Sequence, residues 1–172
     1  MRQNASALLQ PYRSDSRYAL VMFDREGCGD EEKTAQQLEA AVQDQLDQSG
    51  WRDRSVVIVL DPELEVWVFT SSPHVVEVLA GGDRDLWCQV VARYGSGVGR
   101  KPERPKEAVE EVLQRRGIPR SSALYHQLAT RVSLKGCQDP AFHKFREALR
   151  RWFPPDRLTG GGRAGGPGRR GP

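Results

Sequence analysis

The stretch YALVMF (18–23) ends at DREG (24–27), and the stretch VVIVL (56–60) ends at DPELE (61–65). Both apolar runs are short, rich in β-branched or aromatic residues, and bounded by turn or cap residues, so they predict buried strands of a parallel sheet. Apolar residues at helical spacing lie between them (Leu38, Val42 and Leu46). This order predicts a strand–helix–strand unit, and hence an α/β fold with a doubly wound parallel sheet.

The boundaries of the other elements follow from cap and breaker residues. Asp30 is the expected N-cap of the connecting helix, and Gly50 is expected to end it. Pro62 suits the first turn of a helix that begins near Asp61, although a third strand over residues 66–70 is an alternative. Residues 74–94 predict one or two helices with a break at 81–83, and the last third predicts helices that begin at Pro105, at Ser121 or Ser122, and at Asp139-Pro140.

Length and composition indicate one folded domain with a tail. The 172 residues divide into an N-terminal segment (1–17), which would be a shortened first unit, an α/β domain (18–157) and a Gly/Arg/Pro tail (158–172) that we expect to be disordered. The three cysteines lack the spacing of a zinc site or of a disulfide framework, and no segment is long and apolar enough for a membrane span. We therefore expect a cytoplasmic protein that does not contact a membrane.

The net charge of +3 is concentrated in the tail, which holds Arg163, Arg169 and Arg170 and no acid, so that the rest of the chain has 23 basic and 23 acidic side chains. These arginines, with Arg100 and Lys101 in a glycine-rich loop, are the candidate nucleic-acid contacts, because clustered positive charge binds phosphates without regard to sequence. The alternatives are a tail that only aids solubility and a loop that is simply solvated.

The carboxylates that follow the two strands are the candidate metal ligands. Asp24 and Glu26 stand two residues apart, and Glu65 follows the second strand, so all three are expected at the edge where parallel strands end. Glu63 would lie about 200° from Glu65 on a helix, so at most one of these two is expected to point to the same place as Asp24. A divalent cation, Mg²⁺ or Mn²⁺, would offset their repulsion. Alternatively, Asp24 caps a turn and Glu26 is solvated, while Glu65 has either a metal or an arginine as its partner.

The order of these motifs resembles a TOPRIM-related family of small prokaryotic proteins that are often encoded beside ATPases and in antiviral defence islands. FDRE (23–26) resembles the family's Asp-x-Asp segment, with Glu26 in the second acidic place, and PELEVW (62–67) resembles its Pro-Glu-Leu-Glu-x-Trp segment. RPKE (104–107) and PAFHKF (140–145) resemble its later helix starts. The resemblance covers residues 18–152 and implies a TOPRIM-like sheet.

The resemblance also implies a function. Asp24, Glu26 and Glu65 would be catalytic residues and metal ligands in a component of a defence system that acts on nucleic acid, beside an ATPase or a methyltransferase. One departure matters, because TOPRIM proteins carry a glutamate after an earlier strand and residues 1–17 contain none. Asp15 or a partner protein would have to supply this group. The alternative function is a non-catalytic partner subunit that has lost the nuclease chemistry.

Overall fold

The N-terminal half of the chain folds into a strand–helix–strand unit. In this computed structural model, which describes residues 4–95 and 101–155, β1 (Ala19–Asp24) and β2 (Ser55–Leu60) pair in parallel, with Ala19 opposite Ser55 and Asp24 opposite Leu60. The helix α2 (Ala35–Leu46) connects the two strands. The predicted α/β class and its strand–helix–strand unit are confirmed.

The N-cap of α2 is Thr34, so the prediction of Asp30 is wrong. The Thr34 hydroxyl accepts a hydrogen bond from the Gln37 N–H, and the Gln37 side chain accepts one from the Thr34 N–H. This reciprocal capping box satisfies two helix-start donors, which a lone Asp30 could not do from four residues upstream. At the other end, Gly50 has φ of +84°, a conformation that glycine adopts readily, and α2 ends as predicted with a single wider turn.

The parallel sheet has two strands within residues 4–95 and 101–155, so a doubly wound or TOPRIM-like sheet is not confirmed. All six residues of β2 are buried, whereas four of the six residues of β1 are half-buried. The alternative third strand over residues 66–70 does not form. Leu64–Val68 is instead a short 3₁₀ helix with the extended residue Glu63 as its N-cap, so Pro62 precedes this helix rather than occupying its first turn.

Six further α-helices lie in the described chain, joined by loops and turns. They are α1 (Ala5–Leu9), α3 (Pro73–Ala80), α4 (Arg84–Arg93), α5 (Pro105–Arg115), α6 (Ser122–Arg131) and α7 (Pro140–Trp152). The predicted break at 81–83 is confirmed, as are the helix starts at Pro105, Ser121 and Asp139-Pro140. None of these helices is long and apolar enough to cross a membrane.

Helices cover both faces of the sheet. On one face α1 and α2 pack around a buried tryptophan, in a cluster formed by Ala5, Ala19, Val21, Val42, Leu46, Trp51 and Val57. On the other face α7 packs against Val56, Ile58 and Leu60 through Ala141, Ala148 and Trp152. The helices α3 to α6 form a further core beside the sheet, which includes Val75, Leu79, Val90, Val109, Val112, Leu113 and Leu128.

Asp139 joins three parts of this fold. Its Oδ1 accepts hydrogen bonds from Trp67 Nε1 at 3.0 Å and from the Phe142 N–H at 3.1 Å, so it anchors the 3₁₀ helix and caps α7. Its Oδ2 pairs with Lys101 Nζ at 2.9 Å. Burial opposes the charged form, but the hydrogen bonds from Lys101 and Trp67 outweigh it and lower the pKa of Asp139.

We expect Asp139→Ala to lower the free energy of unfolding by about 2–4 kcal/mol, because it removes a helix cap and leaves Trp67 Nε1 and Lys101 without their acceptor. Urea unfolding measures the change. Ser121→Ala is the control, because Ser121 caps α6 through the Leu124 N–H alone, and its loss should cost about 1 kcal/mol. Equal losses for the two variants would show that Asp139 is only a cap.

Candidate functional site

Four carboxylates lie beyond the carboxyl ends of β1 and β2, and we call them the acidic edge: Asp24, Glu26, Glu63 and Glu65. Backbone pairing continues past the strands and holds the two segments together. The Arg25 N–H donates to the Leu60 carbonyl at 2.8 Å, and the Glu26 N–H donates to the Pro62 carbonyl at 3.0 Å. The parallel register therefore brings both acidic segments to one place, as the sequence predicts.

Asp24 ties the end of β1 to the start of the 3₁₀ helix. Its Oδ1 accepts a hydrogen bond from the Leu64 N–H at 3.0 Å. Beside it an open depression of about 590 Å³ is lined by Met22, Phe23, Asp24, Glu26, Gly27, Cys28, Leu60 and Leu64. Glu26 is exposed at the rim of this depression. A ligand can thus reach the carboxylates of Asp24 and Glu26 from solvent.

Glu63 is buried, with 5% of its surface exposed. Its Oε1 accepts a hydrogen bond from the Lys106 N–H at 2.9 Å, in the first turn of α5. A carboxylate at this position satisfies one of the free N–H groups at a helix start and is favoured by the helix dipole. Glu63 therefore connects the acidic edge to the helical core.

Glu65 is equally buried and has two partners on the C-terminal side of the chain. Its Oε1 accepts hydrogen bonds from Arg120 Nη2 at 2.7 Å and from the Tyr125 hydroxyl at 3.0 Å. The Arg120 guanidinium also lies over the Tyr125 ring, 5.6 Å from its centroid. Of the two partners that the sequence left open for Glu65, a metal or an arginine, the structure contains the arginine.

The acidic edge is electrostatically strained. Burial raises the pKa of Asp24, and the charges of Glu65 and Glu26 raise it further, although the hydrogen bond from Leu64 acts in the opposite direction. Burial also raises the pKa of Glu63, with additional repulsion from Glu65 and Glu26. These effects show that the four carboxylates share one neighbourhood. Glu63 is extended rather than helical, so the helical separation of about 200° expected between Glu63 and Glu65 does not apply, and it is the charge of Glu65 that acts on Asp24.

The three predicted metal ligands, Asp24, Glu26 and Glu65, lie in different surroundings. Across the described ranges, no three histidine, cysteine, aspartate or glutamate side chains are arranged to hold a metal ion. Glu65 is occupied by Arg120 and Tyr125, whereas Asp24 Oδ2 and the Glu26 carboxylate accept no hydrogen bond from the part of the chain that is described. The geometry therefore separates an accessible pair, Asp24 and Glu26, from a buried structural pair, Glu63 and Glu65.

The predicted nucleic-acid contacts lie mainly outside the described residues, which exclude Arg100, Arg163, Arg169 and Arg170. Lys101 is described, and its ammonium is paired with the buried carboxylate of Asp139. This pair reduces the charge that Lys101 offers to a phosphate. A phosphate contact from the tail and the loop remains a prediction.

Sequence reasoning missed Arg120 and Tyr125. The only sequence signal for them was indirect: Glu65, two residues before Trp67 in an apolar segment, required a partner. Nothing in the spacing of the sequence identified Arg120, which lies 55 positions away. The role of the Lys106 N–H was also missed, although Pro105 marked the helix start that supplies it.

Comparison with known proteins gives no relative for this chain: no family model matches it, and no curated protein or solved structure matches it with a significant score.

We expect Arg120→Ala to lower the free energy of unfolding by about 2–3 kcal/mol, because it leaves the buried Glu65 carboxylate with the Tyr125 hydroxyl alone. Glu65→Gln should cost less, since it removes the charge and keeps an acceptor. Glu110→Gln is the control, because Arg120 also pairs with this exposed residue, and that pair should contribute less than about 1 kcal/mol. A loss confined to Glu110→Gln in urea unfolding would contradict this assignment.

We expect Asp24→Asn to increase stability at neutral pH in the absence of metal. Because the folded-state pKa of Asp24 is raised, its charge destabilises the fold above that pKa, and the penalty fades as the pH falls into the ordinary carboxyl range. Asparagine keeps the acceptor for the Leu64 N–H. Urea unfolding in a chelating buffer should show a gain at about pH 7 that shrinks toward about pH 4. Asp44→Asn, at an exposed residue of α2, should show no such gain.

Proposed function

We propose that this protein is a TOPRIM-like component of a prokaryotic antiviral defence system, and that its acidic edge binds a divalent cation in contact with nucleic acid. The order of the FDRE and PELEVW motifs is the basis for the defence context, and an ATPase or a methyltransferase of the same system is the proposed partner. The observation that carries the metal-binding part is the pair of carboxylates at the depression, Asp24 and Glu26: burial raises the pKa of Asp24, and the charges of Glu65 and Glu26 raise it further.

Asp24 and Glu26 are the proposed metal ligands. Their free oxygens lie at the depression beside Leu64, and hard oxygen donors suit Mg²⁺ or Mn²⁺. A cation held there would lower the free energy of two carboxylates that now repel each other. When bound, it would supply Lewis-acid chemistry for phosphodiester hydrolysis.

Glu65 takes a different role from the one that its motif implies. Its carboxylate is neutralised by Arg120 and holds the 3₁₀ helix against α6, so we propose it as a positioning residue. Glu63 does the same through α5. Both glutamates hold the backbone of Leu64 in place. Because the Leu64 N–H donates to Asp24 Oδ1, they also orient the Asp24 carboxylate.

A second candidate function is a non-catalytic partner subunit. It is favoured by the structural duties of Asp24, Glu63 and Glu65, each of which accepts a hydrogen bond from the protein. It is also favoured by the missing glutamate of the N-terminal segment. In this case the acidic edge maintains the fold, and the function does not require a bound cation.

Metal binding is tested by thermal unfolding in Mg²⁺ or Mn²⁺ against chelator. A cation that binds only the folded state at one hundred times its Kd should stabilise it by about 2.7 kcal/mol. For a chain of this size, this corresponds to a rise in Tm of about 5–10 °C. Asp24→Asn and Glu26→Gln should each abolish most of the rise, because each removes one anionic ligand.

Asp44→Asn is the matched control and should keep the full rise in Tm. If the wild type shows no rise in either cation, the metal-binding proposal is wrong and the partner-subunit function is the better one. If the rise persists in Asp24→Asn and Glu26→Gln, the cation binds elsewhere. A metal-dependent nuclease assay on single- and double-stranded DNA and RNA then separates binding from catalysis.

A further inference from the structure

Within residues 4–95 and 101–155, no strand pairs with the outer edge of β1. The Ala19 N–H donates to the Arg54 carbonyl at 2.9 Å and the Arg25 N–H to the Leu60 carbonyl at 2.8 Å, so the odd-numbered amides of this strand point toward β2. The backbone groups of Leu20, Met22 and Asp24 therefore point away from β2. Among residues 4–95 and 101–155, no acceptor is found for the N–H groups of these three residues.

This edge lacks the features that usually protect a strand from pairing. From Ala19 to Phe23 it contains neither a charged residue nor a proline, and its one charged residue is Asp24 at the carboxyl end. Along the opposite edge, on β2, Glu39 Oε1 accepts a hydrogen bond from the Val59 N–H at 3.0 Å, so one outward amide of that edge is occupied. A further strand could pair with the backbone groups of Leu20, Met22 and Asp24 at this edge of β1.

We infer that the occupant of this edge is a second copy of the chain, joined through β1 about a two-fold axis. A two-fold axis normal to the sheet makes the two β1 strands antiparallel and makes the interface isologous. With the axis at Met22, each outward-pointing residue faces another one: Met22 faces Met22 of the second copy, and Leu20 faces Asp24. This register lets all three free amides of each copy form hydrogen bonds.

Exposed apolar side chains at the two ends of β1 support this arrangement. Phe153 is 54% exposed and packs edge-on against Tyr18, just before the strand, with ring centroids 5.8 Å apart. Leu64 is 44% exposed and lies beside Asp24 at the other end. Antiparallel pairing brings Phe153 of one copy to Leu64 of the other, twice in the dimer, so both side chains lose their contact with water.

Charge complementarity points the same way. The register that centres on Met22 places Tyr18 opposite Glu26 of the second copy. The Arg17 guanidinium lies over the Tyr18 ring, 5.3 Å from its centroid, and Glu26 is exposed. Each end of the paired strands would therefore hold one Arg17–Glu26 ion pair between the copies.

This inference goes beyond the proposed function and does not depend on it. In this interface Phe153 of the second copy lies next to the depression beside Asp24. Each copy would therefore supply one residue that lines the depression of the other. Dimerisation is measured in chelator, where the metal proposal plays no part, and the two proposals can therefore fail independently.

Sedimentation equilibrium of the full chain in chelator should give twice the mass of one chain at micromolar concentration. Phe153→Glu and Leu64→Glu should each weaken dimerisation by at least about tenfold, because each places two charges in an apolar contact. Leu8→Glu is the matched control: Leu8 is 58% exposed but lies on α1, and its substitution should leave the dimer unchanged. Circular dichroism confirms that each variant is folded.

The charge pair gives a sharper test. Arg17→Glu and Glu26→Arg should each weaken dimerisation by about tenfold, because each converts two attractions into two repulsions. The double variant should restore it. In a Cys88→Ser background, Met22→Cys should cross-link to itself with a short bismaleimide, and Leu8→Cys should not.

A chain that remains monomeric at every concentration would overturn the inference. So would a dimer that Phe153→Glu and Leu64→Glu leave intact, or one that Leu8→Glu dissociates. Failure of the double variant to recover dimerisation would reject the register centred on Met22.

Discussion

The parallel register of β1 and β2 is the constraint on which the rest of the structure depends. Because both strands run the same way, each delivers its carboxylates to the same end of the sheet, and the backbone bonds of Arg25 and Glu26 hold those ends together. Charges of the same sign are thereby forced into one neighbourhood. The fold accommodates them by giving Asp24, Glu63 and Glu65 each a hydrogen-bond donor of its own.

Those donors come from separate parts of the chain, and this arrangement links the sheet to the helices. Glu63 binds the start of α5, while Glu65 binds Arg120 and Tyr125 around α6. Asp139 adds a third link, between α7 and the 3₁₀ helix. The segment 63–67 therefore works as a junction: three neighbouring elements meet it through polar contacts, and substitutions there should affect sheet and helices together.

The elements that were predicted correctly have strong local signals. Two β-branched runs, the glycine break at 81–83 and the cap pair Asp139-Pro140 each define their structure within a few residues. The errors occur where contacts between side chains and backbone groups, rather than residue type alone, determine the local structure. Asp30 is a good cap residue by type, but the helix begins after Thr34, where the capping box with Gln37 satisfies two donors. The segment 61–65 was read as a helix, although Glu63 is extended so that it can reach Lys106.

The edge of β2 has a consequence for the size of any assembly. Glu39 joins the Val59 N–H with one oxygen and Lys144 with the other, and α2 and α7 flank the strand. A further strand on this side would have to displace Glu39 from the Val59 N–H, whereas no acceptor of the described residues occupies the outward amides of β1. A sheet with one available edge forms closed assemblies, whereas a sheet with two available edges can polymerise. Glu39 therefore opposes pairing beside Val59, and its neutralisation would weaken that opposition.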